Sequence, residues 1–186
     1  AHKASAEILG TISANSLTIL AQNHGNFLTK ASGVAMSLSQ NANSIGAGVA
    51  ISLNKNEANV LIAANVTTHG DVAAVADLTQ NMDGDYRGLL GAQAIAGAAS
   101  GSGSKASVAG AIAVIVSRAK TSVTVADGVT IDADKTAGGN IVLSASDKSK
   151  LALRAGALSV SKGSAVGVCA SFAIIYAHNE VLATVG

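Results

Sequence analysis

Acidic side chains at short spacing are the first residues in this sequence that could do chemistry. The segment NMDGDYRG (81–88) places Asp83 and Asp85 two residues apart around a glycine, like the first ligands of a calcium loop. Calcium takes about six to eight oxygen ligands, and no glutamate follows at the position that closes an EF-hand loop. We therefore interpret this segment as a solvated turn.

A second acidic segment, DGVTIDADK (127–135), invites the same interpretation. Asp127 and Gly128 are a residue pair that is typical of turns. Asp132 and Asp134 share one face of a strand, and we expect this face to lie outside. The glycine-rich segment 97–105 lacks the Gly-Lys-Ser/Thr ending of a phosphate-binding loop, so we interpret it as a flexible turn.

Histidine and cysteine are the remaining residue types that bind metals or attack substrates. Cys169 lies in a continuous apolar run with no adjacent base, which predicts a packed thiol rather than a nucleophile. The histidines have no partner at a spacing of three or four residues, so we expect surface positions and no zinc site for His2, His24, His69 and His178. The sequence thus predicts no catalytic, cofactor-binding or metal site.

Composition limits the kinds of protein and partner that fit. The 186 residues are 49% hydrophobic and 12% charged, with two Phe, two Tyr and no Trp, which predicts one folded body with a thin aliphatic interior. The net charge of +1 without a basic run argues against nucleic acid as a partner. The longest apolar stretches, 108–116 and 165–177, are shorter than the roughly 20 residues of a membrane-spanning helix.

Repetition is the strongest pattern in the chain. The stretch GVAMSLSQNAN (33–43) is nearly repeated by GVAISLNKNEA (48–58), and two later stretches share the plan of apolar strand, small polar turn and apolar strand. The spacing leaves open whether the two strands of a doublet are neighbours in one ladder or successive faces of one coil. Three doublets predict a repeat architecture.

A larger period relates further segments. Leu17, Val72 and Ile141 align in register at a loose period of about 60 residues. Structural repeats usually take about 20 to 45 residues, so we expect each unit to hold more than one turn of a solenoid. Coils of about 20 residues would give roughly nine coils and a rod near 45 Å long. We also expect residues 1–186 to be a single segment cut from a longer array.

Alternation with a period of two predicts strands rather than helices. Val34 and Met36 alternate with small residues, as do Val123 and Val125 with Ser122 and Thr124, which describes strands whose apolar residues form one buried face. In the third doublet Leu151 and Leu153 share one parity and Leu158 and Val160 share the other, so we expect a corner at Gly156 that keeps both pairs inward. A bundle of Ala- and Gly-rich helices fits less well, because β-branched residues are frequent and glycines interrupt the apolar runs. An all-β parallel solenoid is favoured, with a β-sandwich as the alternative.

Two segments, SIGAGVAISLNKNEA (44–58) and GSAVGVCASFAIIYAHNE (163–180), are similar to the repeats of a known class of protein. They resemble the β-helical repeats of very large secreted bacterial surface proteins, the filamentous haemagglutinin-like and leukotoxin-like adhesins of Gram-negative anaerobes. The resemblance implies a right-handed parallel β-helix, export to the cell surface, and a role as stalk or display surface with possible host protein or glycan partners.

Two classes of function follow. The first is a non-catalytic structural or display segment of an adhesin or fibre, whose partners are other copies or neighbouring repeats. The second is a polysaccharide-binding or polysaccharide-degrading β-helix enzyme, for which the scattered acids and four aromatics are a poor match.

Two strands are apolar on both faces, so one row of each must be covered or exposed. We predict an association surface at Ala113, Ile115, Ala173 and Ile175. The alternative is that residues 80–91 fold over one row.

Overall fold

The computed structural model describes residues 1–37, 42–81, 90–101, 105–134, 138–162 and 166–186, and their regular secondary structure is β-strand. No helix in these ranges could span a lipid bilayer. In chain order the strands are β1 (His2–Leu9), β2 (Ile12–Ala14), β3 (Leu17–Asn26), β4 (Leu28–Ser37), β5 (Ser44–Ala63), β6 (Val66–Thr68), β7 (Val72–Asn81), β8 (Leu90–Ser100), β9 (Ala106–Val125), β10 (Ile131–Ala133), β11 (Ile141–Ser149), β12 (Leu151–Ser161) and β13 (Val166–Val185).

The strands form parallel sheets that stack coil upon coil. A long strand, a short strand and two strands of intermediate length make one coil, as in β5 to β8 and again in β9 to β12. Each strand pairs with its counterpart in the next coil, which gives a long sheet of β1-β5-β9-β13 and three smaller sheets of β10-β6-β2, β11-β7-β3 and β12-β8-β4. The predicted parallel β-solenoid is therefore confirmed.

The size of a coil differs from the sequence-based expectation. Leu17, Val72 and Ile141 are direct ladder partners, so their predicted register is confirmed. However, the loose period that relates them is one coil rather than several. The prediction of nine coils and a long rod is wrong, because strands of up to 20 residues make a coil wide and flat. The four strands of the long sheet span only about 14 Å along the coil axis at about 4.8 Å per strand.

Each coil is a flattened loop of two layers. The first part of β5 packs on β4 and β8, whereas its second part approaches β3 and β7. We call the first part of the long sheet its front half (residues 44–53, 107–116 and 167–176) and the remainder its rear half. The two strands of each doublet lie in opposite layers, so they are successive faces of one coil and not ladder neighbours.

The small sheet β12-β8-β4 corrects two predictions about which residues face inward. No corner occurs at Gly156, because β12 pairs with β8 without interruption from Leu151 to Ser161. Leu158 and Val160 consequently face outward. In β4 the apolar residues Val34 and Met36 are 79% and 69% exposed, and the intervening small residues point inward. For Val123 and Val125, the predicted inward direction is confirmed.

The interior contains two apolar clusters of different thickness. The rear cluster has large side chains such as Ile62, Val72 and Leu78. The front cluster consists of alanines with one large member, Ile115. Between them lies a band of buried polar side chains that includes Asn56 and Ser117, for whose side-chain polar atoms the described residues supply no hydrogen-bond partner. The interior between the two layers is therefore thin in the front half and thicker in the rear half.

Candidate association surface

The front half of the long sheet carries its large apolar side chains on its outer face. In β5 the odd-numbered residues point outward, and Ile45 and Leu53 are each 72% exposed. The even-numbered residues of β9 and β13 lie beside them in register. We define five rows as the outer apolar face: Ile45, Val108, Val168; Ala47, Gly110, Ala170; Val49, Ile112, Phe172; Ile51, Val114, Ile174; and Leu53, Val116, Tyr176.

The close approach of the two layers explains why large residues lie outside. A Cβ atom added to Gly48 would lie 2.6 Å from the carbonyl oxygen of Ile95 in the opposite layer, well inside van der Waals contact. A Cβ atom on Gly46 would overlap the carbonyl group of Gly97. Only small residues fit where the backbones approach this closely, and the one large member of the cluster, Ile115, lies towards the rear end of the front half. In β5 and β9 the other large aliphatic side chains of the front half therefore occupy the outer face.

The second row of the outer apolar face forms a groove. Its members Ala47, Gly110 and Ala170 are small, and the rows on both sides carry branched or aromatic side chains. The resulting depression has a volume of about 200 Å³, and apolar atoms dominate its lining. We call this row the groove row, and we call the row of Ile51, Val114 and Ile174 the ridge row. The two rows lie symmetrically about the centre row of Val49, Ile112 and Phe172.

Charged residues border the outer apolar face on its rear side. The next row contains Lys55, Arg118 and His178, and we call it the cation row. The row beyond it alternates in sign from strand to strand, with the order Lys3, Glu57, Lys120, Glu180. Alternation lowers the repulsion that like charges on adjacent strands would have.

Ion pairs hold this charged border in place. The Lys55 Nζ atom lies 2.9 Å from Glu57 Oε1, and Lys120 Nζ donates to Glu180 Oε1 at 3.2 Å. The hydrogen bond from Lys55 is the largest cause that lowers the pKa of Glu57; desolvation opposes it, and the positive charges of Lys55 and Lys3 lower the pKa further. Because these groups are charged and solvated, they mark the outer side of the sheet.

The predicted association surface lies on the wrong face of β9. Ala113 and Ile115 are fully buried in the front cluster, so they cannot present an external surface. Ala173 and Ile175 are their ladder partners in β13 and belong to the same inward row, although both are exposed, because β13 is the edge strand of the long sheet and no further described coil stacks on its free side. The prediction chose the wrong parity, because it took the larger side chains as interior. The alternative cover by residues 80–91 falls largely on residues outside the described ranges.

Among the residues that the structure describes, those considered for metal binding do not converge. Asp83 and Asp85 lie outside the described ranges. Within the described ranges, no group of three or more His, Cys, Asp or Glu side chains could hold a metal ion. His69 Nδ1 lies 3.3 Å from Asp134 Oδ2, which brings together two residues that the sequence analysis treated separately.

Other candidate residues have structural surroundings. Asp127 and Gly128 form a turn in which Gly128 has a φ of 74°, as the sequence predicted. Cys169 is exposed, which corrects the prediction of a packed thiol. Its row in β13 faces inward, but the described part of the chain does not cover it. Part of the glycine-rich segment 97–105 lies outside the described ranges.

Comparison with known proteins adds no relative. No protein-family model, curated protein or solved structure matches the chain. The surface chemistry and the repeat therefore carry the functional argument.

Proposed function

We propose that the chain is a non-catalytic structural and display segment of an extracellular bacterial fibre or surface adhesin, which acts through coil stacking and protein association. One observation carries the proposal: successive coils place apolar residues in the same rows of the outer face. Each further coil adds one residue to every row, so the same apolar surface continues along the coil axis. Fibres and display surfaces need such continuity, whereas an enzyme brings unlike groups together at one point.

The amount of exposed apolar surface supports association. Eight residue steps of about 3.3 Å and the widths of three strands at about 4.8 Å each give the outer apolar face dimensions of roughly 27 Å by 14 Å, or about 400 Å² in projection. The outer face of β12-β8-β4 adds a second patch with Val34, Ile95 and Leu158. The outer apolar face alone is as large as the largest apolar patch of a typical soluble monomer, about 300 to 600 Å², and patches of that size are often functional.

The extracellular location rests on the resemblance of segments 44–58 and 163–180 to repeats of large secreted adhesins. Partners in this proposal are other copies or neighbouring repeats, together with a host or cell-surface protein or glycan. The competing proposal, a polysaccharide-binding or polysaccharide-degrading β-helix, predicts a different outcome in the same experiment.

The purified chain should be examined by sedimentation velocity over a concentration series and incubated with a panel of acidic and neutral polysaccharides. We expect the weight-average mass to rise with concentration and no new reducing ends or unsaturated products to form. A strictly monomeric chain at the highest concentration would refute the association proposal. Release of oligosaccharides would instead support the polysaccharide-degrading alternative.

A further inference from the structure

The outer apolar face has a shape that complements itself. The groove row has small side chains, and the ridge row on the other side of the centre row has Ile51, Val114 and Ile174. The two rows are equally distant from the centre row, at two residues along each strand. If a second copy is rotated by 180° about an axis parallel to the coil axis so that the two outer apolar faces meet, its ridge row lies over the groove row of the first.

We propose that the partner of this face is a second copy of the same chain, packed face to face and side by side. The two copies are related by a two-fold axis that runs parallel to the coil axis and lies between their two centre rows. Their strands are then antiparallel, and each coil meets the same coil of its partner. In each copy the groove row of Ala47, Gly110 and Ala170 receives the ridge row of the partner, so this contact occurs twice in the pair. This inference rests on the proposed function and specifies its partner.

Charge selects the antiparallel arrangement of the two copies. With strands parallel, the cation rows would lie opposite each other, and Arg118 of one copy would approach Arg118 of the other. With strands antiparallel, each cation row lies beyond the apolar rows, near the uncharged residues Ala106 and Val166 of the other copy. Like charges within an interface cost binding energy, whereas charges at a solvated rim cost little.

The interface area predicts weak association that strengthens with length. About 400 Å² of projected surface per copy, or about 800 Å² for the two copies, lies below the roughly 1,000 Å² in total that a specific complex usually buries. Each additional coil adds one strand of this face, or about 130 Å² of projected surface per copy. Because the two-fold axis is parallel to the coil axis, added coils extend the interface without changing its geometry.

A matched pair of glycine substitutions tests the inference. A Cβ atom added to Gly110 meets no atom within 4 Å, so Gly110→Leu fills the groove without a clash at its Cβ within its own chain. Gly156 lies on the outer face of β12 and has the same free space, so Gly156→Leu is the control. Sedimentation equilibrium measures association, and circular dichroism verifies that both variants melt at or above the temperature of the parent.

We expect Gly110→Leu to lower the association constant at least about tenfold, because the ridge no longer fits, and Gly156→Leu to leave it unchanged. A second pair, Ile51→Lys and Val34→Lys, distinguishes the two outer faces in the same way. If the parent associates but the Gly110 and Ile51 variants associate equally well, this inference fails and the proposed function stands. If the parent does not associate, both fail.

Discussion

The substitution Gly48→Ala tests the main structural finding, which is that small residues lie inside the front half and large ones outside. The added Cβ atom would lie 2.6 Å from the carbonyl oxygen of Ile95 and 3.1 Å from its carbonyl carbon. An ordinary C···O contact is about 3.3 to 3.6 Å, so a backbone must move by roughly 0.7 to 1 Å. Ile95 lies in β8, the central strand of its sheet, and ladder bonds on both sides resist this movement.

We expect Gly48→Ala to destabilise the fold by about 1 to 3 kcal/mol, the usual cost of overpacking a tight interior. For a chain of this length each kcal/mol lowers the melting temperature by about 2 to 4 °C, so the expected decrease is about 2 to 12 °C. Differential scanning calorimetry measures it directly.

The matched control is Gly110→Ala on the outer face, where the Cβ atom has free space. Removing a glycine from a strand interior gains up to about 1 kcal/mol, so the melting temperature of this control should stay constant or rise. Equal effects of the two substitutions would show that the layers do not approach closely at Gly48 and would refute the proposed division into inner and outer rows.

Two further substitutions test burial and charge. Ile115→Lys should destabilise the fold by about 3 to 5 kcal/mol in chemical denaturation, because it places an unpaired charge in the front cluster, whereas Leu53→Lys on the outer face should have little effect; a stable Ile115→Lys variant would contradict the inward position of Ile115. For Glu57, a folded-state pKa below the ordinary value of 4.5 means that its stabilising contribution is present above pH 4.5 and lost as pH falls through the lowered pKa. Glu57→Gln should therefore flatten the melting-temperature profile below pH 4.5, and a profile identical to that of the parent would argue against the ion pair with Lys55.

Much of the fold is predictable from local pattern. Alternation in segments such as 141–146 indicates strands, and alignment of Leu17, Val72 and Ile141 gives the ladder register that the structure shows. Coil width is harder to predict, because it depends on how many residues run straight before the chain turns. Gly156 illustrates the difficulty: in β12 a glycine lies in a straight strand where the sequence suggested a corner.

The orientation of the outer apolar face was missed for a physical reason. Hydrophobic size normally indicates the interior, but here the close approach of the layers around Gly46 and Gly48 excludes large side chains from that part of the interior. A signal was nevertheless present in the sequence. Arg118 and Lys120 must face solvent, and the even-numbered residues Ile112 and Val114 share their side of β9 if the strand is continuous. Knowledge of the full length of this strand would have given the correct parity.

The width of the coil has a consequence for how the chain folds. Ladder partners lie far apart in the sequence, since His2 pairs with Asn56 and Val72 pairs with Ile141. Such separations are roughly 0.3 to 0.4 of the chain length, above the relative contact orders of about 0.16 to 0.22 that are typical of slowly folding all-β proteins. Among the described strands no hairpin can form early, because they pair in parallel and with strands of the neighbouring coils. Initiation must close the long loop of a whole coil before any ladder bond forms, which makes nucleation slow. Once one coil is ordered, its edge provides a template for the next, so growth should be faster than initiation and should proceed coil by coil.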